Sequence, residues 1–183
     1  MSKLLILYGT GEGQTRKVAN RMAEIIRGKG HEVIVQVNKD SEGFSTDGFD
    51  AAIVGTSIHM GLHQISIRKL VKAHIKAFNS IPVAYFCVCL TAASDQPEDR
   101  KQLDKYVADF KSYTGLDPRI TAVFAGALRY PYYNFIKRYI MKLIARKLAL
   151  DTDTKQEYEY TDWAAVDRFT GQFLDMFEQA ENE

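Results

Sequence analysis

Six consecutive residues near the N-terminus, Thr10-Gly11-Glu12-Gly13-Gln14-Thr15, have the types and spacing to do chemistry. With Gly9, the glycines remove side-chain bulk and permit backbone angles that a Cβ forbids. Two threonines add hydroxyl donors without adding charge. Such a segment offers peptide N–H groups to a small anion, most often a phosphate. Its G-x-G-x-G spacing is not the dinucleotide fingerprint G-x-G-x-x-G, and the P-loop pattern G-x-x-x-x-G-K-[ST] is absent. A glycine-rich turn also occurs where nothing binds, so the hydroxyls on both sides of the glycines decide the reading. They suit a terminal monophosphate gripped by amides and hydroxyls, as in flavin mononucleotide (FMN).

Other candidate groups are sparser. His59 could donate a proton or meet the edge of a ligand ring, and it could equally be a loop histidine bonded to backbone. Arg129 could engage a carboxylate with both arms of its guanidinium. His63 and His74 weigh less, since His74 falls on an apolar helical stripe. Asp40 and Glu42 follow the second strand, where a ribose-binding acid would stand, but without the matching glycine fingerprint they read as loop solvation. Cys87 and Cys89 are read as buried thiols on opposite faces of one strand, hence unpaired, and no zinc spacing exists. The sequence demands no acid–base residue, and His59 and Arg129 are the only catalytic candidates.

The elements that must position these groups alternate in type. Leu4 to Tyr8 is a short apolar run that reads as a strand buried on both faces. Val18, Met22, Ile25 and Ile26 then recur at helical spacing, and Gly28 and Gly30 close that helix. Further strands are expected at 31–37, 51–57, 83–90 and 120–125, with helices around Ile67 to Phe78 and Leu103 to Phe110. Strand–helix alternation implies a parallel sheet with right-handed crossovers. The expected fold class is α/β, a three-layer sandwich on a five-stranded parallel sheet of order 2-1-3-4-5. In that order the loops after strands one, three, four and five converge on one crevice. The candidate cofactor contacts are therefore Thr10, Gly11, Glu12, Gly13, Gln14 and Thr15; Ser57, Ile58, His59, Met60 and Gly61; Cys89, Leu90 and Thr91; and Gly126, Leu128, Arg129 and Tyr130.

At 183 residues, 46% hydrophobic and 26% charged, the chain is expected to be one globular domain over 1–183 with a core of ordinary size. A net charge of +1 excludes a strongly acidic surface and gives no reason to expect nucleic acid. Met1-Ser2-Lys3 leads straight into the first strand, so no signal peptide is expected, and no apolar run is long enough to span a bilayer. The charge is unevenly spread. No acid occurs from Pro118 to Leu150, and Asp151, Asp153, Glu157, Glu159 and Asp162 then reverse the sign. Within that stretch Phe135, Ile136, Tyr139, Ile140, Leu143, Ile144 and Leu148 form one apolar helical stripe beside Lys137, Arg138, Lys142, Arg146 and Lys147. A basic, apolar helix suits a membrane interface, although a core-facing surface helix has the same pattern. Tyr130, Tyr132 and Tyr133 just before it suit an interface or a flat ligand.

Thr10-x-x-Gly13-Gln14-Thr15 after an N-terminal strand resembles the phosphate loop of the flavodoxin-like family, and the likeness covers nearly the whole chain. Carrier flavodoxins place aromatics in the loops after strands three and four. Here Ser57-Ile58-His59-Met60-Gly61 and Leu90-Thr91-Ala92-Ala93-Ser94 contain none, which leaves a flavin face open and leans towards an enzyme. Ala125-Gly126-Ala127-Leu128-Arg129-Tyr130-Pro131, the basic helix of an insert over about 127–160, and Tyr160-Thr161-Asp162-Trp163 resemble the menaquinone-dependent protoporphyrinogen IX dehydrogenase family. The resemblance implies an FMN enzyme of haem biosynthesis that oxidises protoporphyrinogen IX to protoporphyrin IX. It would pass the electrons to menaquinone or ubiquinone from a cytoplasmic position on the inner face of the membrane, held there by the insert helix. Two other readings stay open at this level: a flavodoxin-type electron carrier, and an NAD(P)H:quinone reductase.

Overall fold

A computed structural model describes residues 1–38 and 44–181, so Asp40 and Glu42 lie outside the described residues. Five parallel strands form the main sheet: β1 (Lys3–Gly9), β2 (Glu32–Val37), β3 (Ala51–His59), β5 (Val83–Cys89) and β6 (Ile120–Ala125). Their order is β2-β1-β3-β5-β6, with a short β4 (Leu62–His63) added antiparallel to the end of β3. In chain order this is the 2-1-3-4-5 arrangement read from the sequence, so the fold is flavodoxin-like α/β. The central register sets Leu4 against Ala51 and Tyr8 against Gly55.

Alternation along β1 explains why its apolar run is unbroken. Leu4, Ile6 and Tyr8 face the layer of α1 (Gln14–Gly28) and α6 (Trp163–Glu181), while Leu5 and Leu7 face α2 (Ile65–Ala73), α3 (Ile75–Phe78) and α4 (Pro97–Thr114). The same period corrects the reading of the cysteines. Side chains two apart share a face, and Cys87 and Cys89 both lie in the α2–α4 layer as free, buried thiols. The helix expected through Phe78 is broken at His74, whose ring meets Phe44 edge-on. Gly55 is required by packing: a Cβ there would lie 2.3 Å from Cζ of the fully buried Phe86.

Beyond β6 the chain forms a second layer of structure over the sheet's carboxyl end. β7 (Ala127–Arg129) pairs antiparallel with β8 (Glu157–Glu159), and α5 (Phe135–Lys147) lies between them in sequence. Leu128, Tyr130, Tyr133 and Ala145 are the buried core of this unit. Tyr130 and Tyr133 are therefore not interface aromatics as expected; of the three tyrosines only Tyr132 is exposed. The α5 stripe also differs from a core-facing one. Phe135, Tyr139 and Leu143 are 84%, 61% and 49% exposed, and α5 joins the insert's core through Ala145, with Met141 packed against that core.

Candidate functional site

The loop between β1 and α1 is built for an anion. Gly13 has φ +91°, a left-handed conformation that few other residues adopt without strain, and its N–H donates to Thr10 Oγ1 at 2.9 Å. The first amides of a helix have no carbonyl one turn back. Lys17 N finds one, Gly13 O at 3.2 Å, and the amides before it are those that an anion in the loop would take. Thr15 is buried, and its hydroxyl has no partner among the described residues. An orphaned hydroxyl beneath open amides fits a terminal phosphate. Gln14 Nε2 donates to Thr161 Oγ1 at 2.9 Å, and Thr161 Oγ1 donates to Ala125 O at 2.7 Å. The Tyr160-Thr161-Asp162-Trp163 motif thus ties the loop to the end of β6.

His59 ends β3, which runs two residues beyond the expected Ser57. Met60 and Gly61, at φ +50° and +78°, turn the chain into β4 as a two-residue hairpin. A Cβ on Gly11 would fall 2.4 Å from His59 Nε2, so the ring lies across the phosphate loop. His59 Nδ1 stands 3.9 Å from Glu12 Oε1. Burial holds His59 below the ordinary histidine value, with Lys137 acting in the same sense and Glu12 opposing. That shift disfavours the imidazolium, which suits a hydrogen-bonding group better than a fixed cation. His63, on β4, contacts Tyr106 O at 2.8 Å through Nε2 and anchors the hairpin to α4. Gln64 Nε2 donates to Ser57 Oγ at 3.0 Å.

At the neighbouring strand ends Gly126 N donates to Cys89 O at 3.0 Å. Burial pushes the Cys89 thiol up to about 12, so it stays protonated and contributes bulk and backbone, not nucleophilicity. From the insert, Tyr133 donates its phenol proton to Glu12 Oε2 at 2.5 Å, and Lys137 Nζ lies 2.8 Å from Glu12 Oε1. Burial and that hydrogen bond raise the Tyr133 phenol above its usual value. Arg129 N donates to the same Tyr133 oxygen at 3.0 Å. Arg138 donates to Tyr130 O at 3.1 Å and to Tyr133 O at 3.0 Å, fixing the turn that presents Tyr133.

These groups surround one cleft of about 640 Å³. The structure brings Thr10, Gly11, Glu12, Gln14, Thr15, Ser57, Ile58, His59, Met60, Gly61, Cys89, Leu90, Thr91 and Gly126 to its wall. Three predicted contacts are turned elsewhere. Leu128, on β7, and Tyr130, in the turn after it, are fully buried in the insert's own core, and the Tyr130 hydroxyl donates to Asp151 O at 2.9 Å. Arg129 does not line the cleft; it lies 3.6 Å from Glu157, with its guanidinium close to Gly13 of the loop. Gly13 shapes the loop without lining the cleft. Sequence reasoning missed the wall supplied by Ile136, Lys137, Ile140, Met141 and Ile144 of α5, together with Tyr106. The signal was present, since Ile136, Ile140 and Ile144 are four apart and form one edge of the stripe left open between a membrane interface and a core-facing surface. Among the described residues no cluster of His, Cys, Asp and Glu could hold a metal ion.

The "flavodoxin domain" family model matches residues 5–155. Protoporphyrinogen IX dehydrogenase [quinone] of Escherichia coli (strain K12) is 36% identical over 168 residues, covering 91% of this chain and 92% of that protein. The chain belongs to this family of flavodoxin-domain oxidoreductases. A protein of the same name from Leishmania major is 33% identical over 182 residues, 93% of this chain and 74% of its own. Among solved structures, a flavodoxin from the domain Archaea superposes with a TM-score of 0.55 at 14% identity, covering 96% of this chain and 99% of its own. Oxidised flavodoxin 1 from Bacillus cereus gives 0.52 at 16% identity, covering 95% and 98%. Those two likenesses speak for the fold alone.

Proposed function

We propose that the cleft binds FMN with its phosphate on the 10–15 loop, and that the protein oxidises protoporphyrinogen IX with a membrane quinone, menaquinone or ubiquinone, as acceptor. The observation that carries this reading is the cleft itself. It joins a phosphate-type cup at one end to an aliphatic wall of Ile136, Ile140 and Ile144 at the other, with no aromatic from the β3 or β5 loops closing it. FMN, when bound, supplies the acceptance of a hydride from the porphyrinogen and the return of electrons to the quinone. The chain's own residues bind and orient. Thr15 and the α1 amides hold the phosphate, and the backbone from Ser57 to Gly61 and from Cys89 to Thr91 borders the ring. The α5 wall excludes water and offers a large apolar macrocycle a surface. His59, whose charged form burial disfavours, borders the cleft as a hydrogen-bonding group for the ligand. The insert belongs to the single domain, and its outward face docks peripherally on the inner membrane surface.

Reconstitution tests the reading directly. Protein incubated with FMN is expected to retain the flavin through gel filtration and to oxidise protoporphyrinogen IX faster when a menaquinone analogue is present. Retained flavin without porphyrinogen turnover would leave an electron carrier. Rapid bleaching by NADH or NADPH alone would indicate an NAD(P)H:quinone reductase.

A further inference from the structure

Glu12 is an anomaly in a phosphate cup. Its carboxylate lines the cleft beside Thr10, Gly11 and Thr15, where it would repel a phosphate dianion. Two insert residues converge on that carboxylate. Lys137 Nζ sits 2.8 Å from Oε1, and Tyr133 donates to Oε2. Lys137 also lies 4.6 Å from the centroid of the Tyr133 ring, so the three side chains form one packed unit. Glu12 is the more sheltered partner, 18% exposed against 44% for Lys137. Burial disfavours the charged form of His59, and the guanidiniums of Arg16 and Arg129 lie by Gly13, Arg129 beside Glu157, so Lys137 is the cation seated on the Glu12 carboxylate.

We infer that Lys137, steadied by Tyr133, neutralises Glu12 so that the loop accepts a phosphorylated flavin, which makes the insert a positioning element for the cofactor's phosphate. Two things follow from this arrangement. The insert and the phosphate end of the cofactor are energetically coupled, because the carboxylate that the insert engages stands in the phosphate loop. The coupling is electrostatic, so it discriminates FMN from unphosphorylated riboflavin.

The inference rests on the FMN reading, and a double-mutant cycle on the full chain separates the two. FMN and riboflavin are titrated by flavin fluorescence quenching into the wild type, Lys137→Met, Glu12→Gln and the double variant. Lys137→Met keeps most of the apolar stem and leaves Glu12 unneutralised. It is expected to weaken FMN about tenfold at low salt, with riboflavin affinity unchanged and the loss shrinking as salt rises. Adding Glu12→Gln to it is expected to restore FMN affinity to within about threefold of wild type, because no charge is then left to balance. An equal loss for FMN and riboflavin, or no recovery in the double variant, would overturn the inference while the cofactor reading stands. A wild-type protein that binds neither flavin would overturn both.

Discussion

The unpartnered hydroxyl of Thr15 makes the phosphate cup testable one atom at a time. A buried hydroxyl without a hydrogen bond costs folding free energy, so the chain carries a liability unless a ligand uses it. Thr15→Val keeps the shape and removes the liability. The variant is expected to unfold at equal or slightly higher denaturant concentration than wild type. Its FMN affinity should fall about tenfold or more, because a hydrogen bond to a charged group is worth about 1.5–3 kcal/mol. Loss of stability with unchanged FMN binding would assign Thr15 to the core instead. The two readouts move in opposite directions only if the hydroxyl serves a ligand. At this scale the sequence was partly legible. Glycine and threonine types announced the cup, but the partners of Glu12 could not be read, since Tyr133 and Lys137 stand more than 120 residues away along the chain.

At the scale of elements, legibility followed periodicity. β1, β5 and α1 repeat their apolar residues so regularly that their place in a parallel sheet follows from pattern alone. Length was harder to read: β3 continues through Ile58 and His59 because the Met60-Gly61 turn folds β4 back on it, and no alternation marks that turn. The α5 stripe was recognised but its cleft edge was not, since one helical face can serve a core, a cleft or a membrane, and only the fold brings Ile136, Ile140 and Ile144 to the cleft. Gly55 is the sharpest constraint inside the sheet. A methyl group there would meet Phe86 at 2.3 Å, and Phe86 is fully buried between Phe124 and the β1 layer, with little room to yield. Gly55→Ala is expected to destabilise the fold by about 1–3 kcal/mol through overpacking, measured by urea unfolding. Combining it with Phe86→Leu should recover part of that loss, and a fully additive pair would show that the two side chains do not compete for the same space.

Across the whole molecule the charge is sorted by task. Among the basic residues of the acid-free stretch, Lys137 is engaged by Glu12, Arg129 lies near Glu157, and Arg138 is bonded to two carbonyls. Among the described residues no acid lies within ion-pairing distance of Lys142, Arg146 or Lys147, which remain available around the outward Phe135, Tyr139 and Leu143. Across the cleft, the hairpin raises Met60 and Leu62, 87% and 67% exposed, as a second apolar rim. None of the described helices is long and apolar enough to cross a membrane, so contact with lipid would be made from one side, with the cleft mouth between the two rims. Each outward cation near an anionic leaflet contributes about 1 kcal/mol. Replacing Lys142, Arg146 and Lys147 together by Gln is therefore expected to weaken sedimentation with anionic vesicles by about 3 kcal/mol at low salt, roughly a hundredfold. The weak binding to neutral vesicles should not change. Turnover with a water-soluble quinone analogue should survive the substitutions, because none of the three lines the cleft, while turnover with a long-chain quinone held in anionic vesicles should fall with the binding. Undiminished vesicle binding in the triple variant would strip the outward face of its membrane role and leave α5 as a wall for the cleft alone.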